Sequence, residues 1–414
     1  MRVAVVAPDL REPGGVREKA LFVARSLRGQ LGAAVQVVSL ATSRTDASSL
    51  LLRSPRTWWR PLVSRYSVEE FTVDHVGAVG AEIEVARYAR RRAILKLVER
   101  CDVLHVVCGT PAWAYAVSGF SGPVVVHFAS FVQHERRQDT PGRWSALDGW
   151  RKLMTSSVGI VERAALRRAD VIIPVNRTRR AEVRALVSPE TPVEVVHTGV
   201  DTERFTPGPY REDGYLLTVG RLSDPRKNVP LLLRAYAAAR ARSSDVPRLV
   251  LAGVAAPDSE SQDLISVLGL TDSVRYIGPQ DPRTLVDTYR GASAFVLSSN
   301  EEGQGIAVVE AMASGLPIVA TSCVGPSELI TDCVQGLLTP VGSVEGLADA
   351  ILRLTTDPGL RRRMSDAARC RAVRDFSLER TGAQLCSVYR TAGITTGLSR
   401  AFDPQAVGEA RGSL

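Results

Sequence analysis

Two carboxylates, Glu302 and Glu310, bracket the run EEGQGIAVVE, with Gly303, Gln304, Gly305 and Ile306 between them. A glycine-bearing loop that opens a helix offers unpaired backbone N–H groups and the positive end of the helix dipole. Glycines let the oxygens of a ligand approach that backbone closely, which suits phosphate or sugar hydroxyls. One carboxylate at the loop and one a turn or so deeper could grip two parts of one elongated ligand. The bland alternative is a solvated loop charge and a helix-surface charge. Cations stand at a second strand-to-helix loop, in the run GRLSDPRKN, as Arg221, Arg226 and Lys227. Charge on a leaving diphosphate needs cations or a metal, and Arg221 and Lys227 supply cations. In the first half, His127 ends the apolar run VVVH, and Gly14-Gly15 follows the opening apolar run.

The elements that position these residues follow from apolar patterning. Ala294–Ser298 is a short β-prone run, 306–314 has helix formers without a breaker, Gly315-Leu316-Pro317 stops the helix, and 317–320 is the next strand. Strand, glycine loop, helix and strand make one βαβ unit of a parallel sheet. Tyr215–Val219 predicts a strand before Arg221, and Val229–Arg240 the helix after Lys227. Strands are further predicted over 249–252 and 274–277, and a strand-like run over 336–340.

The first half begins the same way. Strands are predicted over 2–8, 35–40, 102–107, 123–128, 169–175 and 193–197, and helices over 17–27, 83–100, 158–168 and 177–186. The helix over 83–100 carries Arg87, Arg90, Arg91, Arg92 and Lys96 as a basic outer face. Residues 43–80 resist assignment. Their segment Arg53–Pro61 mixes cations, Trp58 and Trp59, and reads as a surface loop whose tryptophans pack back or as a membrane-interface segment. His127 lies near the carboxyl end of its strand, where ligands of open parallel sheets bind; its bland reading is a histidine hydrogen-bonded at the strand end. His105 reads as structural. Residues 133–150 form a polar excursion, an acceptor loop or lid.

Glu302-x7-Glu310, with Gly303, Gly305, Ala311, Met312, Ala313, Gly315 and Pro317, resembles the signature of the retaining nucleotide-sugar glycosyltransferases of family 4. VVVHFAS, the GG of Gly14-Gly15, the Val-Asp run at 200–201 and GPSE at 325–328 are similar to further family segments. The resemblance covers roughly 1–392 and is stronger in the second half. It implies an α/β chain of GT-B architecture, two Rossmann-like doubly wound parallel-sheet domains facing across a cleft. The implied divisions are 1–206 for the acceptor, 207–375 for the donor, and a helix at about 376–392 returning to the first domain; residues 393–414, without clear periodicity, are expected to be a mobile tail.

It further implies that Glu302 contacts the donor sugar, that Glu310 binds the ribose, and that Arg221 and Lys227 meet the diphosphate. The loop Gly303-Gln304-Gly305-Ile306 would offer backbone amides to the sugar, His127 would lie beside it, and Gly14-Gly15 would face phosphate or acceptor. Glu328 organises a loop or helix start. Three departures stand out, the first being His197-Thr198-Gly199-Val200-Asp201 where Asn-Gly-Val-Asp is usual. Gln304 replaces a residue that is commonly aromatic, which bears on the donor sugar, and Lys227-Asn228 replaces the usual Lys-Gly. The expected reaction is sugar transfer from a nucleotide-diphosphate donor, UDP favoured, without a metal or other cofactor. A nucleotide-sugar epimerase of the same fold and a non-catalytic sugar or membrane-surface binder are the alternatives.

The 414 residues suffice for two domains, and 45% hydrophobic with 23% charged residues is an ordinary globular balance. No apolar run approaches bilayer length, and the first residues lack the apolar core of a signal peptide. The six cysteines form no CxxC pair, so free thiols in a cytoplasmic protein are expected. Residues 1–205 hold 30 Lys+Arg against 21 Asp+Glu, and the remainder 22 against 23, so the whole net charge of +8 comes from the first half. Such a surface could meet anionic lipid, an anionic acceptor or nucleic acid. The partners expected are the donor and a small-molecule, glycan or lipid-linked acceptor. Peripheral contact with the inner face of the membrane through the basic half is possible; nucleic acid is not expected.

Overall fold

Strands that are apolar along their whole length must be covered on both faces, and that is how the chain folds. Every residue of the strand Val103–Cys108 is buried, as is every residue of Ala292–Leu297. The computed structural model describes residues 1–12, 14–136, 146–209 and 214–394. The first sheet contains β1 (Arg2–Pro8), β2 (Ala34–Leu40), β3 (Val63–Val68), β4 (Phe71–Val76), β5 (Val103–Cys108), β6 (Val124–Phe128) and β7 (Val171–Pro174), in the order β3-β4-β2-β1-β5-β6-β7. All its pairings are parallel except β3 with β4, a hairpin at the edge. The second sheet contains β8 (Tyr215–Val219), β9 (Leu249–Ala252), β10 (Val274–Tyr276), β11 (Ala292–Leu297), β12 (Ile318–Thr321) and β13 (Gly336–Thr339), in the parallel order β10-β9-β8-β11-β12-β13. Hairpin aside, each sheet runs outward in both directions from its first strand. The strand order therefore reverses between β1 and β5 and between β8 and β11, and crevices open at those points.

Helices cover both faces of each sheet. Gly15–Gln30 buries Ala20, Leu21, Val23, Ala24 and Leu27 against the first sheet. The last helix, Leu378–Thr391, returns to this same face. Leu385 and Tyr389 join the core with Val5 and Leu21, and Gln30 Nε2 donates to the Glu379 carbonyl at 3.0 Å. The crossing is pinned by Val200 N–H to Phe376 O at 2.9 Å and Leu378 N–H to Val200 O at 3.0 Å.

Residues left unassigned from the sequence take on structure, and two expectations need correction. Residues 43–80 hold the β3–β4 hairpin, where exposed Arg65, Ser67 and Thr72 mark one wet side. The helix expected over 83–100 is two short helices, Glu84–Arg87 and Arg92–Leu97. Arg91 between them is buried, not part of an outer face. Its guanidinium donates to the carbonyls of Val76, Ala41 and Arg87 at 2.8–2.9 Å, which draws the chain inward and breaks the helix. Residues 193–197 form no strand, only one bridge from Val193 to Ile172, because the chain turns away toward the second sheet at Thr198. The excursion over 133–150 falls partly, and the tail almost wholly, outside the described residues.

Candidate active site

The two loops at the second sheet's reversal point are stitched to each other. The loop after β8 tightens into a short 3-10 turn, Pro225–Lys227, and the helix Val229–Arg242 follows. Ser298 Oγ, just beyond β11, donates to the Lys227 carbonyl at 2.9 Å, and Asn300 N–H donates to the Arg226 carbonyl at 2.8 Å. Asn228 has left-handed backbone (φ 47°, ψ 53°), where glycine is favoured and asparagine is tolerated. Its side chain accepts from Leu231 N–H as the helix cap and donates to Asn300 Oδ1. Asparagine thus holds the turn that the usual Lys-Gly pair makes.

This stitching brings the predicted charges together. Lys227 Nζ pairs with Glu302 Oε2, both mostly buried. Arg221 is 64% exposed and only loosely held by Asp224 at 3.3 Å, so it can swing into the crevice. Arg226 is forked onto Asp224 at 3.0 and 2.7 Å and serves the turn.

The loop 302–305 is shaped by close backbone contact. Gly305 takes φ +87° as it enters the helix Ile306–Ala313. Gly325 lies behind the loop and donates its N–H to Glu302 O; a Cβ there would stand 2.8 Å from Gln304 O. Asn176 of the first half donates to Gly303 O at 3.0 Å. Gln304 is buried, and its side-chain amide pairs with Thr198 in both directions: Thr198 N–H to Oε1 and Nε2 to Thr198 O, each 2.9 Å. The amide therefore latches the two halves. Glu328 accepts from Arg177 N–H at 2.8 Å and so caps a helix start, one that belongs to the first half.

Glu310 lies on the helix Ile306–Ala313 and accepts from Tyr289 Oη at 2.7 Å. Burial pushes its carboxyl up to about 7, against the lowering effect of that hydrogen bond. Opposite, Gly15 approaches the start of this helix: a Cβ on it would stand 3.9 Å from Ile306 Cδ1. Gly14 caps the helix Gly15–Gln30.

The wall contributed by the first half carries buried histidines and a lysine, with Glu18 close enough to act on Glu310 and Arg179 3.5 Å from Glu301. His127 is fully buried near the end of β6, and among the described residues neither ring nitrogen has a partner. The hydrogen-bonded structural histidine is instead His105, whose Nδ1 is 2.7 Å from Tyr389 Oη. Burial, with Lys19 adding to it, holds His127 well below the usual imidazole range, His105 down at about 3 and His197 down at about 4. Lys19, absent from the sequence-level candidates, is 5% exposed, and burial lowers its ammonium to about 8. Its signal was a lysine among the inward Ala and Val positions of an amphipathic helix. A cavity of about 640 Å³ lined by Arg90, Tyr115 and Arg168 includes Gly122 and Asp170 at strand starts, the opposite end of the first sheet. Among the described residues no group of three or more His, Cys, Asp or Glu is placed to hold a metal.

Residues 13–204 match the family described as Glycosyltransferase Family 4, and residues 200–371 match the family described as Glycosyl transferases group 1. The chain is 37% identical over 221 residues to D-inositol 3-phosphate glycosyltransferase of Kribbella flavida, covering 49% of this chain and 52% of that protein. The match thus spans about half the length of that relative. It is 31% identical over 301 residues to MMP alpha-(1->4)-mannosyltransferase of Mycolicibacterium hassiacum, covering 70% of this chain and 71% of that protein. Among solved structures, sucrose-phosphate synthase from Thermosynechococcus elongatus superposes with a TM-score of 0.72 at 20% identity, covering 94% of this chain and 98% of that one. Alr3699/HepE of Anabaena in complex with UDP and glucose does so with a TM-score of 0.68 at 17% identity, covering 94% and 100%. These likenesses fix the fold as GT-B.

Proposed function

The chain belongs to glycosyltransferase family 4, and on that premise we propose that it moves a sugar from a nucleotide-diphosphate donor, with UDP favoured, to an acceptor held by the first half, with retention at the anomeric carbon. The observation that carries this reading is the pairing of Lys227 with Glu302 at the second sheet's reversal point, beside the open N-terminus of the helix that bears Glu310. Arg221 and Lys227 neutralise the diphosphate without a metal, and the helix start adds its dipole. Glu302 positions the sugar and exchanges its contact with Lys227 for contacts to substrate. Glu310 takes the ribose. The acceptor oxygen bonds to the anomeric carbon as the bond to the phosphate oxygen breaks; the electron pair leaves with the diphosphate, which takes the hydroxyl proton. No protein nucleophile is needed. His127, with two unpartnered nitrogens, offers a hydrogen bond at the sugar. The second half holds the donor, the first half the acceptor.

The test uses donor turnover with chelator present. Glu302→Gln is expected to lose roughly 10²-fold or more in kcat while keeping nucleotide affinity; unchanged turnover rejects the assigned role, and loss of wild-type activity on chelation rejects the metal-free reading.

We also propose peripheral contact with anionic lipid. Trp59 is 92% exposed, and Trp58, Leu52 and Ile83 are more than half exposed. Exposed Arg53, Arg56 and Arg60 lie in the same segment as the tryptophans, the mixture of cation and aromatic found at bilayer interfaces. Of the two tryptophans, only Trp58 turns back, donating to Leu51 O at 2.8 Å. No helix among the described residues is long and apolar enough to cross a membrane. Flotation with anionic vesicles at low salt should recover the wild type and fail to recover Trp58→Ala/Trp59→Ala.

A further inference from the structure

Lys19 is a buried cation with no ion pair among the described residues. It lies on the inward face of Gly15–Gln30, and among the described residues neither a carboxylate nor a hydrogen-bond acceptor pairs with it. The groups that share its field are the Cys108 thiol and the rings of His105, His127 and His197. These rings are held neutral, so none of them compensates the ammonium. Around it the polar atoms are also unsatisfied: both nitrogens of His127, His105 Nε2 and His197 Nδ1 have no partner. A desolvated ammonium beside orphaned imidazole nitrogens is costly unless an anion arrives. Folding tolerates such groups where a ligand completes them.

The position narrows which anion. Lys19 stands one turn into the helix that follows β1, His105 is on β5, His127 on β6, and His197 follows the bridge of Val193 to β7, so Lys19 belongs to the first sheet's side of the crevice. The cations suited to the donor diphosphate, Arg221 and Lys227, stand on the second sheet's side with the helix start at Ile306. A diphosphate met there leaves Lys19 uncompensated. We propose that Lys19 is the cation of a subsite for a phosphate or carboxylate group carried by the acceptor, with the rings of His127 and His197 as neutral hydrogen-bonding neighbours. This inference rests on the transferase reading. Lys19 acts as a positioning residue: by anchoring the acceptor's charged group it fixes which hydroxyl faces the anomeric carbon.

The test titrates inorganic phosphate into the full chain, free and saturated with UDP, and follows heat and melting temperature. It compares wild type, Lys19→Met and Lys19→Arg, and measures UDP and UMP affinity for each. Phosphate should stabilise the wild type in both states. Lys19→Met should bind it roughly ten- to hundredfold more weakly, the range of a charge-assisted hydrogen bond, and Lys19→Arg should keep most of the affinity. Without ligand, Lys19→Met should melt no lower than wild type, because an unpaired buried charge has been removed; a merely structural lysine would show a lower melting temperature. UDP affinity should change less than about threefold. Equal phosphate binding by wild type and Lys19→Met overturns the proposal. So does a loss of UDP affinity in Lys19→Met with UMP affinity intact, which would assign Lys19 to the donor diphosphate. If UDP, GDP and ADP all fail to bind while phosphate still separates wild type from Lys19→Met, the nucleotide-donor reading falls and the anion subsite stands.

Discussion

Glu310 is where burial and the proposed ribose contact compete most directly. Its carboxyl is raised from 4.5 to about 7, chiefly by loss of water, while Tyr289 donates to it at 2.7 Å and pulls the other way. Between those two values the folded chain holds more protons here than the unfolded chain. The stability this group contributes is therefore complete below 4.5 and is lost as pH rises through about 7. Ribose hydroxyls donate to an ionised carboxylate, so nucleotide binding below pH 7 must expel the proton. Affinity should fall as the pH is lowered through 7, approaching tenfold per unit, with about one proton released per nucleotide bound. Calorimetry in two buffers of different ionisation enthalpy counts that proton. Glu310→Gln should flatten the profile, and a wild-type profile already flat would remove the ribose role. At the same scale, Gln304 is a lesson in what a single residue hides. Its exchange from the common aromatic type reads as a change in the sugar site, yet its partner is the backbone of Thr198, 106 positions away in the chain.

At the scale of elements, the turn Pro225–Asn228 carries a clear prediction. Asn228→Gly keeps the left-handed turn and loses the cap, while Asn228→Val also places a β-branched residue at φ 47°. The glycine variant should cost about 1 kcal/mol or less and the valine variant about 1–2 kcal/mol more, as denaturant midpoints at fixed slope would register. A valine variant as stable as the glycine one contradicts the strain argument. The same turn shows what was legible. Strand, loop and helix around Arg221–Lys227 and Glu302–Glu310 could be read because the apolar runs are short, unbroken and bounded by glycine and proline. The hairpin over 63–76 could not: its outer side is wet, so Ser, Arg and Thr interrupt the apolar signal. The break at Arg91 was illegible for another reason. Its carbonyl partners come from β4, from the chain after β2 and from the short helix before it, and a basic side chain buried by tertiary contacts looks the same in sequence as one facing water.

Across the whole molecule, the two halves are tied at the site and behind it. Gln304 with Thr198, Asn176 with Gly303 and Glu328 with Arg177 join the sheets at the crevice. The returning helix closes the far side with Tyr389 against His105. Tyr389→Phe should destabilise the chain by about 1–2 kcal/mol, because it leaves His105 Nδ1 buried without a partner; a melting temperature equal to wild type would show that this contact contributes nothing. The returning helix and its place on the first sheet were not a property of its residues alone and came with the family resemblance. The central claim is that the crevice of the second sheet takes a nucleotide diphosphate. Its most direct test is calorimetric titration of UDP, GDP and ADP into wild type and Glu310→Ala at pH 8. UDP should bind most tightly, and Glu310→Ala should weaken it by about tenfold or more. Failure of all three to bind, or equal binding by the variant, would contradict the account.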